Sequence, residues 1–340
     1  MKKSLLIASA LLSGSLFAAD SLIDKAKEAG LQPIPQATSD LMKLIDDAKN
    51  PITDAKVELG KKLYFDPRLS KSGLISCNTC HNLATGGADG VAAAIGHKWT
   101  ANPHHLNSPT VYNAVFHSTQ FWDGRSPHLE DQAQGPIQAG PEMAAPKELV
   151  EKRVNSIPAY VSEFQTAYGK DVKVDFKTIA DTIAVFERTL VTPSRFDTYL
   201  QGDSNALSIS EKRGLKLFID KGCTSCHNGV ALGGTMQPFP VVNPYKHASL
   251  GDFKGDANGM VKVPTLRNIT ETAPYFHNGA VWNLAEAVEI MGNTQLGMNL
   301  DKEEIASIVS FLGSLEGEKP KIVYPVLPAS TENTPKPSAN

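Results

Sequence analysis

Two copies of one five-residue spacing constrain this chain more than anything else in it. "LISCNTCHN" occupies residues 74–82, and its core returns as "GCTSCHN" at residues 222–228. Together the copies use all four cysteines of the 340-residue chain. Each reads Cys-x-x-Cys-His, the attachment signature of c-type haem. Two thiols one helical turn apart add across the haem vinyl groups, and the adjacent histidine faces the iron. A zinc site would want its cysteine pairs close together, whereas Cys77 and Cys223 stand 146 positions apart. A dithiol redox motif has no use for the histidine after each pair. Cys77, Cys80 and His81, and Cys223, Cys226 and His227, are therefore the expected seats of two covalently bound haem c groups.

The N-terminus reads as an export signal, and four cysteines in an exported protein would ordinarily be two disulfides; the Cys-x-x-Cys-His spacing argues otherwise. Lys2 and Lys3, the apolar "LLIASALLSGSLF" and the small pair Ala18-Ala19 read as an export signal over residues 1–19. The apolar run is too short for a comfortable membrane span. The expected mature protein is periplasmic, with no membrane span after cleavage. The net charge is −3 and no basic run follows the first few residues, so nucleic acid is not an expected partner.

The repeat extends beyond the haem motif. "GKKLYFD" (60–66) precedes the first copy and "GLKLFID" (214–220) the second. Downstream, "PTVYN" (109–113) and "FWDG" (121–124) return as "PTLRN" (264–268) and "FHNG" (276–279), both offset by 155. Repetition at domain length predicts a mainly α fold of two tandem cytochrome c-like domains with a haem in each and an interface between them. The expected limits are 20–195 and 196–318, with a Pro-rich tail at 319–340. Helical periodicity marks 39–49, 57–64, 146–168, 176–190, 210–220, 284–291 and 301–315, and no strand is evident. In the tail, Ile322, Val323, Tyr324 and Val326 are expected to dock, and the last dozen residues to be disordered.

An enzyme needs one iron that admits substrate, so positions where the copies differ carry the functional signal. The first half inserts "GGADGVAAAIGHKWTANPHH" (86–105), presenting His97, His104 and His105. The second half has Met291 and Met298, either of which could ligate opposite His227, raising the haem potential. Trp122 stands where the second half has His277. Glu142, in the loop "QAGPEMAAP", would suit proton transfer if it faced an open haem.

With these motifs assembled, the sequence resembles the bacterial di-haem cytochrome c peroxidases over about residues 40–328. The resemblance is carried by "SCNTCHN", "IGHKW", "NSPTVYNAVF", "QFWDGR", "DQAQGPIQAGPEM", "GCTSCHNG", "PTLRNIT" and "APYFHNGAVWNLAEAVEIMG". It implies a low-potential peroxidatic haem at His81, with His97 the distal ligand of the resting state, and a high-potential haem at His227 with Met291 as distal ligand. It further implies Trp122 as electron relay, Glu142 and Gln132 as peroxide-pocket residues, and calcium held by the Asn107 side chain and the Thr272 and Pro274 carbonyls. The segment "KWTANPHHL" runs longer than the family pattern, so whether reduction must release His97 stays open.

The implied enzyme is a cytochrome-c peroxidase that reduces hydrogen peroxide with electrons from a small monohaem cytochrome c or copper protein, as a homodimer. Two rivals use the same haem count. A plain di-haem electron carrier would leave the insertion around His97 without purpose. A related di-haem oxidase that modifies tryptophans of a partner protein has tyrosine where this chain has Met291.

Overall fold

The computed structural model describes residues 21–338; the expected export signal lies outside them. Two helix pairs carry the fold. Asp54–Phe65 packs on Phe176–Arg188, and Ile209–Asp220 packs on Lys302–Gly313. Each helix begins at a side-chain cap that satisfies otherwise orphaned N–H groups. Thr53 and Asp175 cap the first pair, and the Ser208–Glu211 and Asp301–Glu304 capping boxes start the second. The glycines that open the repeated "GKKLYFD" and "GLKLFID" are the contact points. A Cβ on Gly60 would lie 2.2 Å from the Thr182 carbonyl oxygen, and one on Gly214 would lie 1.9 Å from that of Ser307.

Each pair builds its own core. Leu63, Tyr64, Ile75, Phe164, Ile183 and Phe186 are buried in the first, and Phe196, Leu215, Phe218, Ile308 and Phe311 in the second. Each fully buried side chain of this kind contributes roughly 1.5–3 kcal/mol. The domains are also laced by the chain ends. Residues 21–28 are helical, and Ile23, Ala26 and Leu31 pack in the second core although they fall at the start of the segment 20–195 expected to form the first domain.

The tail makes the return crossing onto the first domain. Ile322 packs against the first core, and the Tyr324 ring meets Phe65 edge-on at 4.9 Å. Val323 and Val326 stay exposed. The disorder expected for the last dozen residues is corrected as far as residue 338. Arg153, itself buried, donates to the carbonyls of Pro335 and Lys336 as well as to those of Arg68, Ser70 and Lys71.

Three local expectations shift. The helix expected at 39–49 is Thr38–Ile45, ending where Asp46 turns its carboxylate to the Ile52 amide. The stretch 146–168 is two helices, Lys147–Asn155 and Pro158–Tyr168, because Pro158 cannot continue a helix but starts one well. A two-stranded antiparallel ribbon pairs Met236–Pro238 with Met260–Lys262; three-residue strands are too short to display an alternating pattern.

The 155-residue offset proves to be a pseudo-twofold axis. Asn113 and Asn268, both in the left-handed region (φ 63° and 58°), donate their side-chain amides to the same Thr192 hydroxyl, at 2.8 Å each. Farther out, the backbone amide of Asn107 donates to the His277 carbonyl at 2.8 Å, and that of Lys262 to the Trp122 carbonyl at 2.8 Å. Residues 107 and 262 are counterparts, as are 122 and 277, so the domain interface is one contact made twice.

Candidate functional site: two haem seats of unequal character

Cys77–Cys80 form one helical turn, started by the Ser76 amide donating to Thr79 Oγ1 at 2.9 Å. Cys223–Ser225 form a tighter turn after Gly222 in the left-handed region. None of the four thiols is in a disulfide. Burial pushes the Cys80 thiol up to about 12 and the Cys223 thiol up to about 11, and Cys77 higher still. A raised thiol is the opposite of the lowered one that a reactive dithiol needs.

The histidines are set for iron. His81 Nδ1 meets the Pro109 carbonyl at 2.9 Å, and His227 Nδ1 meets the Leu232 carbonyl at 3.1 Å. A carbonyl at Nδ1 fixes the tautomer and leaves Nε2 as the ligating atom. Burial pushes the His227 imidazole down to about 4 and lowers His81 as well, which keeps both neutral. The residues present therefore fit two haem c groups.

The second seat opens into a largely apolar cavity walled by Cys223, Cys226, His227, Phe218, Leu284 and Met291. Met291 is in that wall, whereas Met298 is partly exposed on the loop that follows the helix Leu284–Leu296. The first domain contributes Asn107, His117 and Trp122 to the same wall. Trp122 is buried, its indole N–H donates to the Asn107 carbonyl at 3.0 Å, and its ring meets His277 edge-on at 6.4 Å.

The first seat is lined differently. Cys80 lies by the Ile95 carbonyl, and the next two residues, Gly96 and His97, dock on the Pro141–Glu142 backbone. The His97 amide donates to the Glu142 carbonyl at 2.7 Å. A Cβ on Gly96 would lie 2.0 Å from the Pro141 carbonyl oxygen, so only glycine permits the approach. His97 is buried, with Nδ1 unpartnered among the described residues. Burial raises the Glu142 carboxyl, partly offset by the Arg125 guanidinium. Gln132 is half-buried at the end of the short helix Leu129–Gln132, and the helical turn Gln134–Gln138 separates it from Glu142.

The interface gathers the remaining expected residues. Asn107 uses its side-chain N–H on the Val91 carbonyl at 2.8 Å, leaving its Oδ1 available. Thr272 and Pro274 share the cavity wall with it. Their carbonyls accept no hydrogen bond among the described residues. Oxygen donors of this kind fit calcium. His104 pairs with Asp252 of the second domain at 2.9 Å.

Comparison with known proteins agrees with this duplicated arrangement. The family described as di-haem cytochrome c peroxidase matches residues 54–205, and cytochrome c matches residues 211–316. Cytochrome c551 peroxidase of Pseudomonas aeruginosa is 49% identical, covering 94% of this chain and 93% of its own. The chain belongs to the di-haem cytochrome c peroxidase family. Cytochrome c551 peroxidase of Nitrosomonas europaea is 44% identical over 99% of this chain and 98% of its own. Among solved structures, a MauG-like protein associated with microbial copper homeostasis superposes with a TM-score of 0.70 at 27% identity, covering 80% of this chain and 92% of that one. As a member of this peroxidase family the chain is an enzyme carrying two haem c groups. No helix among the described residues is long and apolar enough to cross a membrane.

The family's two-domain plan was legible in the sequence, but the surroundings of four polar residues, exposed Arg125 and buried Glu187, Lys262 and His117, were not. Arg125 stacks its guanidinium on the Phe121 ring at 3.5 Å and acts on Glu142. Glu187, on the helix Phe176–Arg188, is buried near Cys77 with one carboxyl oxygen unpartnered. Lys262 and His117 meet at 3.3 Å inside the interface. Shifting the sequence by 155 residues was the available signal for the last pair, since it aligns Lys262 with Asn107 and His117 with Thr272.

Proposed function

We propose that the protein is an exported, periplasmic peroxidase that reduces hydrogen peroxide to two waters, consuming two electrons and two protons. A small monohaem cytochrome c or copper protein donates the electrons, which arrive at the Cys223–His227 seat and pass to the Cys77–His81 seat. The difference between the seats carries this reading: Met291 shares the cavity wall with His227, while His97 and Glu142 are bound together beside Cys80.

Bound there, the haem at His227 and Met291 supplies electron storage, and the haem at His81 supplies the redox chemistry of peroxide cleavage. Trp122, between the two seats, provides the electron path. Glu142, its carboxyl raised by burial, would take a proton from one peroxide oxygen and deliver it to the departing one, with Gln132 orienting the substrate. His97 occupies the distal side at rest and withdraws with the 96–97 backbone. Calcium, held by Asn107 Oδ1 and the carbonyls of Thr272 and Pro274, ties that withdrawal to the second domain. The functional units are residues 20–195 and 196–318, the 319–340 tail is accessory, and the enzyme works as a homodimer.

The deciding experiment is peroxide-dependent oxidation of a reduced small cytochrome c by the holoprotein, started fully oxidised or half-reduced with calcium. Turnover only after half-reduction supports both the peroxidase and the His97 gate. Turnover from both states removes the gate, and none from either state removes the peroxidase.

A further inference from the structure

The second cavity has two polar groups in its wall that the reaction above does not use. Lys262 is 3% exposed and His117 is 9% exposed, and both share the wall with Cys223, Cys226 and His227. The Lys262 ammonium donates to His117 Nδ1 at 3.3 Å. A neutral His117 then carries its proton on Nε2, and that atom is buried without a partner among the described residues. The ammonium keeps two further N–H groups. The carboxylate that acts on it, Asp123, is already held by Arg125 at 2.9 Å. Burial alone pushes Lys262 down to about 8, and a buried cation lacking a counter-charge is costly. Two N–H donors side by side on a largely apolar wall make a seat for a carboxylate.

The pseudo-twofold axis gives this pair a counterpart. Lys262 occupies the position of Asn107, and its amide holds the Trp122 carbonyl as the Asn107 amide holds that of His277. His117 occupies the position of Thr272. Two of the three residues assigned to calcium on one side of the axis, Asn107 and Thr272, are thus a lysine and a histidine on the other.

We propose that Lys262 and His117 bind a propionate carboxylate of the haem held by Cys223, Cys226 and His227. The second side of the interface thereby carries, as a side chain, the positive charge that the first side takes as a metal ion. The propionate seat rests on the two-haem assignment, and only its parallel with calcium rests on the function proposed above. A fixed cation at the edge of the macrocycle favours the reduced form, which is less positive by one charge. Lys262 is therefore a positioning residue that would hold the second haem's potential up, on the wall that it shares with Trp122.

The test is a spectroelectrochemical titration of the holoprotein, with each haem followed by its own absorption band and calcium held constant. Lys262→Met should lower the midpoint of the second haem by about a tenfold change in its reduction equilibrium, which is about 59 mV for one electron. Lys262→Arg should recover most of it, and His117→Phe should give a smaller fall. If Lys262→Met does not load haem, His117→Phe decides. Unchanged midpoints in the loaded variants would overturn the proposal, as would a fall confined to the first haem. No peroxide turnover is needed, so failure of the peroxidase reading would be seen separately.

Discussion

Trp122 and His277 occupy the same position in the two halves of the chain, and in the folded protein their rings meet edge-to-face at 6.4 Å. Duplicated chains commonly join through equivalent surfaces, because a contact that serves one copy serves the other when rotated. Here the backbone part of that contact is kept on both sides, through Asn107 to His277 and Lys262 to Trp122. The side chains have diverged. Burial pushes His277 down to about 4, so it meets the indole as a neutral ring.

Trp122→Phe tests whether the indole is part of the electron path. Phenylalanine keeps a ring against His277 and loses one hydrogen bond to the Asn107 carbonyl, a cost of about 1 kcal/mol that the fold will tolerate. Reduction of the second haem by the donor should proceed at the wild-type rate, while reoxidation by peroxide slows. Stopped-flow absorbance separates the two phases. Equal slowing of both would mean that Trp122 serves docking or packing instead.

Glu142→Gln separates backbone from carboxyl. The carbonyl that binds the His97 amide is unchanged by this substitution, so the 96–97 segment stays docked. Only proton transfer is lost. Turnover should fall by roughly 10²–10⁴-fold if Glu142 is the acid–base group, with the resting spectrum unaltered. Near-normal turnover would remove Glu142 from the chemistry.

What the sequence made legible was whatever depends on neighbouring residues or on exact repetition. Cys77–His81 and Cys223–His227 are local, and the 155-residue offset pairs Asn113 with Asn268. The helix break at Pro158 depends on one residue, yet the single helix expected over 146–168 passed over it. The crossing of the chain ends was not legible, because Leu31 in the second core and Ile322 on the first are apolar residues whose destinations lie in the other domain. Lys262 and His117 were hidden for the same reason. Each looks like a solvated side chain until the interface closes over both.

Gly214→Ala tests the helix contact that the duplication preserves. The added Cβ would sit 1.9 Å from the Ser307 carbonyl oxygen and 2.8 Å from Phe311 Cβ, both on the partner helix. Forcing the helices apart should cost about 1–3 kcal/mol and lower Tm by several degrees. The same change at Gly90, where nothing lies within 4 Å, meets no such clash. Gly90 has a positive φ of 68°, so its alanine variant measures the backbone cost alone. Gly214 is helical, where alanine carries no backbone cost of its own, so an unchanged Tm for Gly214→Ala would show that the helix contact yields without loss.

Glu187→Gln should change how stability depends on pH. Burial, with Glu130 nearby, pushes the Glu187 carboxyl up to about 8 in the native protein, against about 4.3 for an unfolded glutamate. Between those values the native state holds a proton that the unfolded state has released. Native stability therefore falls as pH rises through that window, by up to about 1.4 kcal/mol per unit from this group, and levels off above it. Glutamine is neutral in both states and removes the slope. Thermal unfolding of the two proteins should give similar Tm values near pH 4, with the Glu187→Gln variant progressively the more stable toward pH 8. A Tm difference that stays constant across that range would mean that Glu187 does not change its charge on unfolding, and that its burial beside Cys77 is balanced by a partner group.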